Sequence, residues 1–189
     1  MTKGLSHYIR EAWKKPDKEA MHSRLIKWRA GQAIEKVEKP LRLDRARALG
    51  YKAKRGFVVV RVRLNRGGRK RERKGVKGRK TRKQTNRKTL KMNYKWVAEI
   101  RAARKYKNLE VLNSYNIGKD GKHYFYEVIL VDPSKSEIKK DRTTKWIVNN
   151  KKRAERGLTS AARKSRGLRH RTPKLKVRPS QRANKRRGK

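Results

Sequence analysis

Two stretches of this chain are too densely charged to fold unaided. Residues 66–91 hold 14 Lys and Arg against one acidic side chain, and residues 151–189 hold 17 against one. The rest is milder: residues 1–65 hold 18 against 6, and residues 92–150 hold 12 against 7. Between 66 and 91 the large apolar residues are Val76 and Leu90 alone. They cannot offset a backbone ordering cost of about 1–2 kcal/mol per residue. Gly67, Gly68, Gly75 and Gly78 keep that segment pliable, and Pro173 and Pro179 block a long helix beyond Leu168. Like-charge blocks of this kind, with almost no acidic partners, are expected to order on a polyanion.

The composition removes whole classes. Of 189 residues, 33% are hydrophobic and 40% charged, for a net charge of +46. The longest purely aliphatic run is Val128-Ile129-Leu130-Val131, far short of the roughly 20 residues of a membrane span. Residues 1–15 carry no apolar h-region, so no signal peptide is expected. With no cysteine, disulfide scaffolds, thiolate zinc sites and Cys nucleophiles are out. An intracellular polyanion binder remains.

The regular patterns lie elsewhere. Leu109, Val111, Tyr115 and Ile117 are expected on one face of a strand, with Leu112 interrupting the other. Gly118-Lys119-Asp120-Gly121 is turn chemistry. HYFYEVILV (123–131) is a second strand, stopped by Asp132-Pro133, so the pair reads as a hairpin. Gly56–Leu64 is a third strand, whose alternating Arg61 and Arg63 should leave one sheet face basic. Ile34–Lys39 is a short fourth strand with a weaker pattern.

Leu5, Tyr8, Ile9 and Trp13 share a face of a short amphipathic helix. Met21, Leu25, Ile26 and Trp28 mark a second, with Pro16 in its first turn. Asp44 is expected to cap a helix over 45–49 that ends at Gly50. Asn93 should cap one that turns Trp96, Val97, Ile100 and Ala103 inward, and Thr159 one over 160–165. Helices and strands in this order describe a small α+β domain.

Chemistry finds no foothold. His7, His22, His123 and His170 are scattered, with no carboxylate at metal-ligand spacing. There is no P-loop. Gly75-Val76-Lys77-Gly78 matches a GxxG loop, but its flanks are basic coil rather than helices. The serines near Arg163 and Arg166 lack a neighbouring base. No enzyme, cofactor, metal or small-molecule substrate is expected.

Nucleic-acid binding has a positive case. Guanidinium groups grip phosphate bidentately while lysines act as mobile point charges. The candidate contacts are Arg55 and Arg66, then Arg69, Lys70, Arg71, Arg73, Lys74 and Lys77. The same loop continues with Arg79, Lys80, Arg82, Lys83, Arg87 and Lys88. Near the C-terminus they are Arg163, Lys164, Arg166, Arg169 and Arg171. Tyr51, between glycines and lysines, is the candidate for stacking on an unpaired base. Trp96, Tyr124 and Tyr126 fit buried faces instead. Structured RNA is favoured over DNA, since a long loop can thread its phosphate-lined crevices and no Lys/Ala/Pro repeat of the chromatin type occurs. A DNA- or chromatin-binding protein stays open as the alternative.

Several stretches are familiar in order. They are ARALGYKAKRG (46–56), RGGRKR (66–71), VLNSY (111–115), YEVILVDP (126–133) and GLTSAARKSRGL (157–168). Together they resemble the large-subunit ribosomal protein fifteen family of the archaeal and eukaryotic type, written with an "e" suffix, up to about Leu168. Zero cysteine and high lysine suggest an archaeal-type member. The resemblance implies a structural constituent of the large ribosomal subunit, cytoplasmic within the ribosome, with large-subunit rRNA and neighbouring ribosomal proteins as partners. A ribosome assembly factor is the further alternative. It also implies a small core with a four-stranded, mainly antiparallel sheet and long extensions. The expected organisation is amphipathic helices over 1–33 and an α/β core over 34–65 and 92–150. An RNA-threading loop over 66–91 is inserted in that core, and a basic extension covers 151–189.

Overall fold

A computed structural model describes residues 3–70, 87, 88, 90 and 92–169. The elements are α1 (Leu5–Ala12), α2 (Lys18–Ala30), β1 (Ile34–Val37), α3 (Leu43–Ala48) and β2 (Phe57–Asn65). Next come β3 (Arg69–Lys70), β4 (Arg87–Lys88), α4 (Tyr94–Lys105), β5 (Glu110–Lys119) and β6 (His123–Val131). The series closes with α5 (Ser136–Lys140), a 3-10 turn at Lys145–Ile147 and α6 (Ser160–Ser165).

Four strands form one antiparallel sheet in the order β1-β2-β6-β5. The central strand β6 is largely apolar, with His123 at its start and a buried Glu127 as exceptions, because both of its faces are covered. On one side Tyr126, Val128 and Leu130 join Val60, Val62 and Leu64 beneath Ala98 and Ala102 of α4. On the other side Phe125 and Ile129 pack with Trp28 of α2 and Ala46 of α3. Val131 meets Ile138 and Ile147 at the sheet's end.

The hairpin forms as its sequence predicts, but the facing along β5 does not follow a single stripe. The register shifts between Val111 and Asn113, and again between Asn116 and Gly118. Each bulge adds an unpaired residue and inverts the alternation. Val111 therefore packs under α4, while Tyr115 and Ile117 face α2 and α3. Leu112 interrupts the pattern because it sits in the bulge.

The caps divide in the same way. Asn93 accepts from the Trp96 amide at 2.8 Å, and Thr159 accepts from the Ala162 amide at 3.3 Å. Asp44 does not cap α3; the cap position is Arg42, and Asp44 lies buried in the first turn. Pro16 precedes α2 rather than opening it, and Asp17 caps the helix through the amides of Glu19 and Ala20. An aspartate one residue nearer the helix offers two carboxylate oxygens to amides that proline's ring cannot serve. The amphipathic α1 buries none of its residues: Leu5 is 64% and Tyr8 60% exposed.

Candidate nucleic-acid interface

The basic loop leaves the core from β2 and returns before α4, and its two feet are joined. Arg69 pairs with Lys88 and Lys70 with Arg87 in a short antiparallel ladder. Sequence reading treats the whole of 66–91 as coil, because four basic residues have no intrinsic reason to pair. The ladder follows from the core holding the feet together, which removes most of the loop-closure cost.

The mouth of the loop is built from aromatics. Asn93 fixes Tyr94 as the first residue of α4, and the Tyr94 hydroxyl both donates to the Gly67 carbonyl and accepts from its amide. Gly67 has φ +106°, a backbone state that disfavours any side chain. The Tyr94 ring lies 4.7 Å from the Tyr124 ring, and Tyr124 in turn lies 6.3 Å from Tyr126. Arg66 covers Tyr124 at 5.1 Å and donates to the Asp120 carbonyl at 2.7 Å. Arg66 thus ties the loop to the β5–β6 turn. Nothing in the sequence singles out Tyr94, because a helix-start tyrosine reads as ordinary packing.

The basic sheet face expected from Arg61 and Arg63 does not form. Arg61 pairs with Glu35 at 2.5 Å and stacks over Trp28 at 5.3 Å. Arg63 donates to the backbone carbonyls of Trp28 and Arg29. Both guanidiniums are consumed in seating α2 and β1 on the sheet, since a covered face leaves an arginine no other way to satisfy its donors.

The remaining expected contacts separate by environment. Arg55 is exposed. Its neighbours Lys52 and Lys54 converge on Asp141, and the 2.6 Å hydrogen bond from Lys52 holds that carboxyl well below its ordinary range. Tyr51 is half-buried, its ring edge-on to Phe57 at 5.8 Å and packed in the α2–α3 cluster. Arg163, Lys164 and Arg169 are exposed. Arg163 and Arg169 flank an open groove with Leu158, Ser160 and Leu168. Arg166 turns inward and donates to the Gly157 carbonyl at 3.1 Å. Arg71, Arg73, Lys74, Lys77, Arg79, Lys80, Arg82, Lys83 and Arg171 lie outside the described residues.

α6 is held rigidly against the core. Ala161 and Ala162 pack on Trp96, whose indole donates to the Ala154 carbonyl at 2.7 Å. Thr159 reaches the fully buried Glu99, which also accepts from the Ser114 hydroxyl at 2.5 Å. Burial pushes the Glu99 carboxyl above its ordinary pKa, although both hydroxyls oppose the shift. The stretch 151–165 is thereby attached to the core, and its exposed cations stand on a fixed platform.

Comparison with known proteins places this architecture. A family described as Ribosomal L15, of the L15e type, matches residues 4–184. The chain is 51% identical to the large ribosomal subunit protein eL15 of Methanospirillum hungatei, with both chains covered in full. It is 47% identical to the protein of the same name from Methanocella arvoryzae, again over the whole of both.

Proposed function

This chain belongs to the L15e family of ribosomal proteins, and from that premise we propose that its basic loop and tail thread into folded large-subunit rRNA while the sheet domain anchors them. The protein is a structural constituent of the large ribosomal subunit rather than an enzyme, it associates with rRNA and other ribosomal proteins, and its place is the ribosome.

The observation that carries the threading reading is the division of labour among the arginines. Arg61, Arg63, Arg66, Arg153 and Arg166 all donate to groups of their own chain. Among the described residues Arg163, Lys164 and Arg169 stay exposed on and beside α6, and the sequence places further dense runs of cations at 71–86 and after Arg169. Each phosphate they neutralise releases counterions, and tightly approaching RNA segments need that neutralisation most. Arg163, Lys164 and Arg169 would meet phosphate from the α6 platform, and residues 71–86 would enter between RNA helices.

Deleting 71–86, which keeps the ladder, tests this reading. The circular dichroism of the core should persist while recovery in large subunits on high-salt gradients is lost. Continued assembly at normal stoichiometry would sink the threading role.

A further inference from the structure

One basic cluster on the folded core belongs to neither extension. α1 packs against α3, and beside the start of α4 they leave a pocket of about 380 Å³. Arg10, Arg42, Arg45 and Lys95 line it, with Asp44 and Tyr115. Four cations therefore meet one carboxylate. That carboxylate is already engaged: Arg42 approaches Asp44 at 3.5 Å while its guanidinium lies 4.9 Å over the Trp13 ring.

The cluster is unfinished. Asp44 is 5% exposed, yet its Oδ1 has no hydrogen-bond partner among the described residues, and neither does the buried Nε of Arg42. Buried polar groups are almost always paired, so such orphans point to a partner from outside the chain. The side chains of Arg10, Arg45 and Lys95 make no hydrogen bond or ion pair among the described residues. The carboxylate that acts on Lys95 is Glu99, whose two oxygens already accept from Ser114 and Thr159. Arg45, Lys164 and Arg169 add positive field at Lys95, and burial holds its ammonium below the ordinary pKa. Lys95 and Arg42 are half-buried while Arg10 and Arg45 stand exposed at the rim, and a half-buried cation beside like charges is stabilised where an anion joins it.

We propose that this pocket is a preformed phosphodiester site, taking one backbone phosphate of an RNA strand between Arg45, Lys95 and Arg10. Arg42, paired with Asp44 at 3.5 Å, keeps that carboxylate from opposing the phosphate. The proposal rests on RNA being the polyanion, since Lys164 and Arg169 continue the same positive field toward α6. It adds a fixed point on the rigid core, which sets the register of the domain before any extension engages.

The test follows the arginine Nε–Hε and lysine side-chain NMR signals of the full chain during titration with uridylyl-uridine, which carries a single phosphodiester. Inorganic phosphate is titrated in parallel at the same salt. Arg42, Arg45 and Lys95 should move on one saturating curve, with inorganic phosphate clearly weaker. R45Q and K95Q should each weaken binding about tenfold, the loss of one charge-assisted hydrogen bond. Arg45 is exposed, so R45Q keeps the fold even if K95Q does not. K139Q/K140Q on α5 should leave the curve unchanged. Absence of saturation overturns the site. Equal binding of inorganic phosphate reassigns it to free anions, and an equal loss in K139Q/K140Q reduces it to bulk charge. The curve should persist in the 71–86 deletion, so failure of the threading reading and failure of this pocket are read separately.

Discussion

The Tyr94 hydroxyl grips Gly67 through both backbone groups, donating to its carbonyl at 2.7 Å and accepting from its amide at 2.8 Å. The first residue of α4 thereby clamps the outgoing foot of the basic loop to its return. Tyr94→Phe removes both bonds and keeps the ring on Tyr124. The site is partly open to water, so the expected cost is about 1 kcal/mol. Amide exchange at Gly67 should accelerate while exchange in β6 stays slow. Unchanged exchange at Gly67 would show that the ladder alone holds the mouth.

Gly56 should not tolerate a side chain. Its φ is +92°, and a Cβ there would stand 2.7 Å from Ile138 Cγ1, which is fully buried. Backbone strain and overpacking together predict that Gly56→Ala costs about 2–4 kcal/mol in chemical denaturation. A loss below half that figure would mean α5 moves freely away.

Glu99 gives stability a pH dependence of known sign. Burial is the largest cause of its raised pKa, ahead of the opposing Ser114 and Thr159 hydrogen bonds and the Lys95 and Arg153 charges. The folded state therefore holds the proton more tightly than the unfolded chain. Stability contributed by this group is present below the unfolded carboxyl pKa and is lost as pH rises through the folded value. Glu99→Gln keeps the shape and can still bond both hydroxyls. Its Tm should exceed that of the parent at pH 8 by about 2–4 °C for each kcal/mol of relieved burial cost. The gap should close toward pH 4. A parent that is more stable at pH 8 would contradict this account.

Arginines that look alike in sequence should behave differently. Neutralising Arg163, Lys164 and Arg169 together should leave Tm unchanged and flatten the salt dependence of rRNA binding. The slope should fall by about 0.7–0.9 for each phosphate that is no longer neutralised. Replacing Arg61 and Arg63 with Gln should do the reverse: destabilise by about 1–3 kcal/mol with the salt slope nearly intact. Equal effects from both sets would erase the distinction drawn from their hydrogen bonds.

Much of this was legible in the residues. Turn chemistry and a nine-residue run rich in aromatic and β-branched residues specify the β5–β6 hairpin, because strand pairing across a tight turn is local. Asn93 and Thr159 announce their helices, since a cap acts within three residues. The family resemblance rested on motifs that the comparison with known proteins then matched over nearly the whole chain. The facing of β5 was not legible: a bulge at Leu112 is chosen by what lies across the sheet. Nor was the engagement of Arg61 and Arg63, which depends on α2 packing over β2; Arg63 and Trp28 are 35 residues apart in the chain.

The sequence by itself determined that the chain seeks a polyanion, because charge density and the shortage of apolar residues are properties of composition that no fold can alter. It determined the hairpin and the capped helices, whose causes span a few residues. Tertiary structure alone decided which cations remain free. A guanidinium's partner is set by long-range packing: Arg63 meets carbonyls of α2, Arg66 meets the β5–β6 turn, and Arg45 and Lys95 converge from two helices on one pocket.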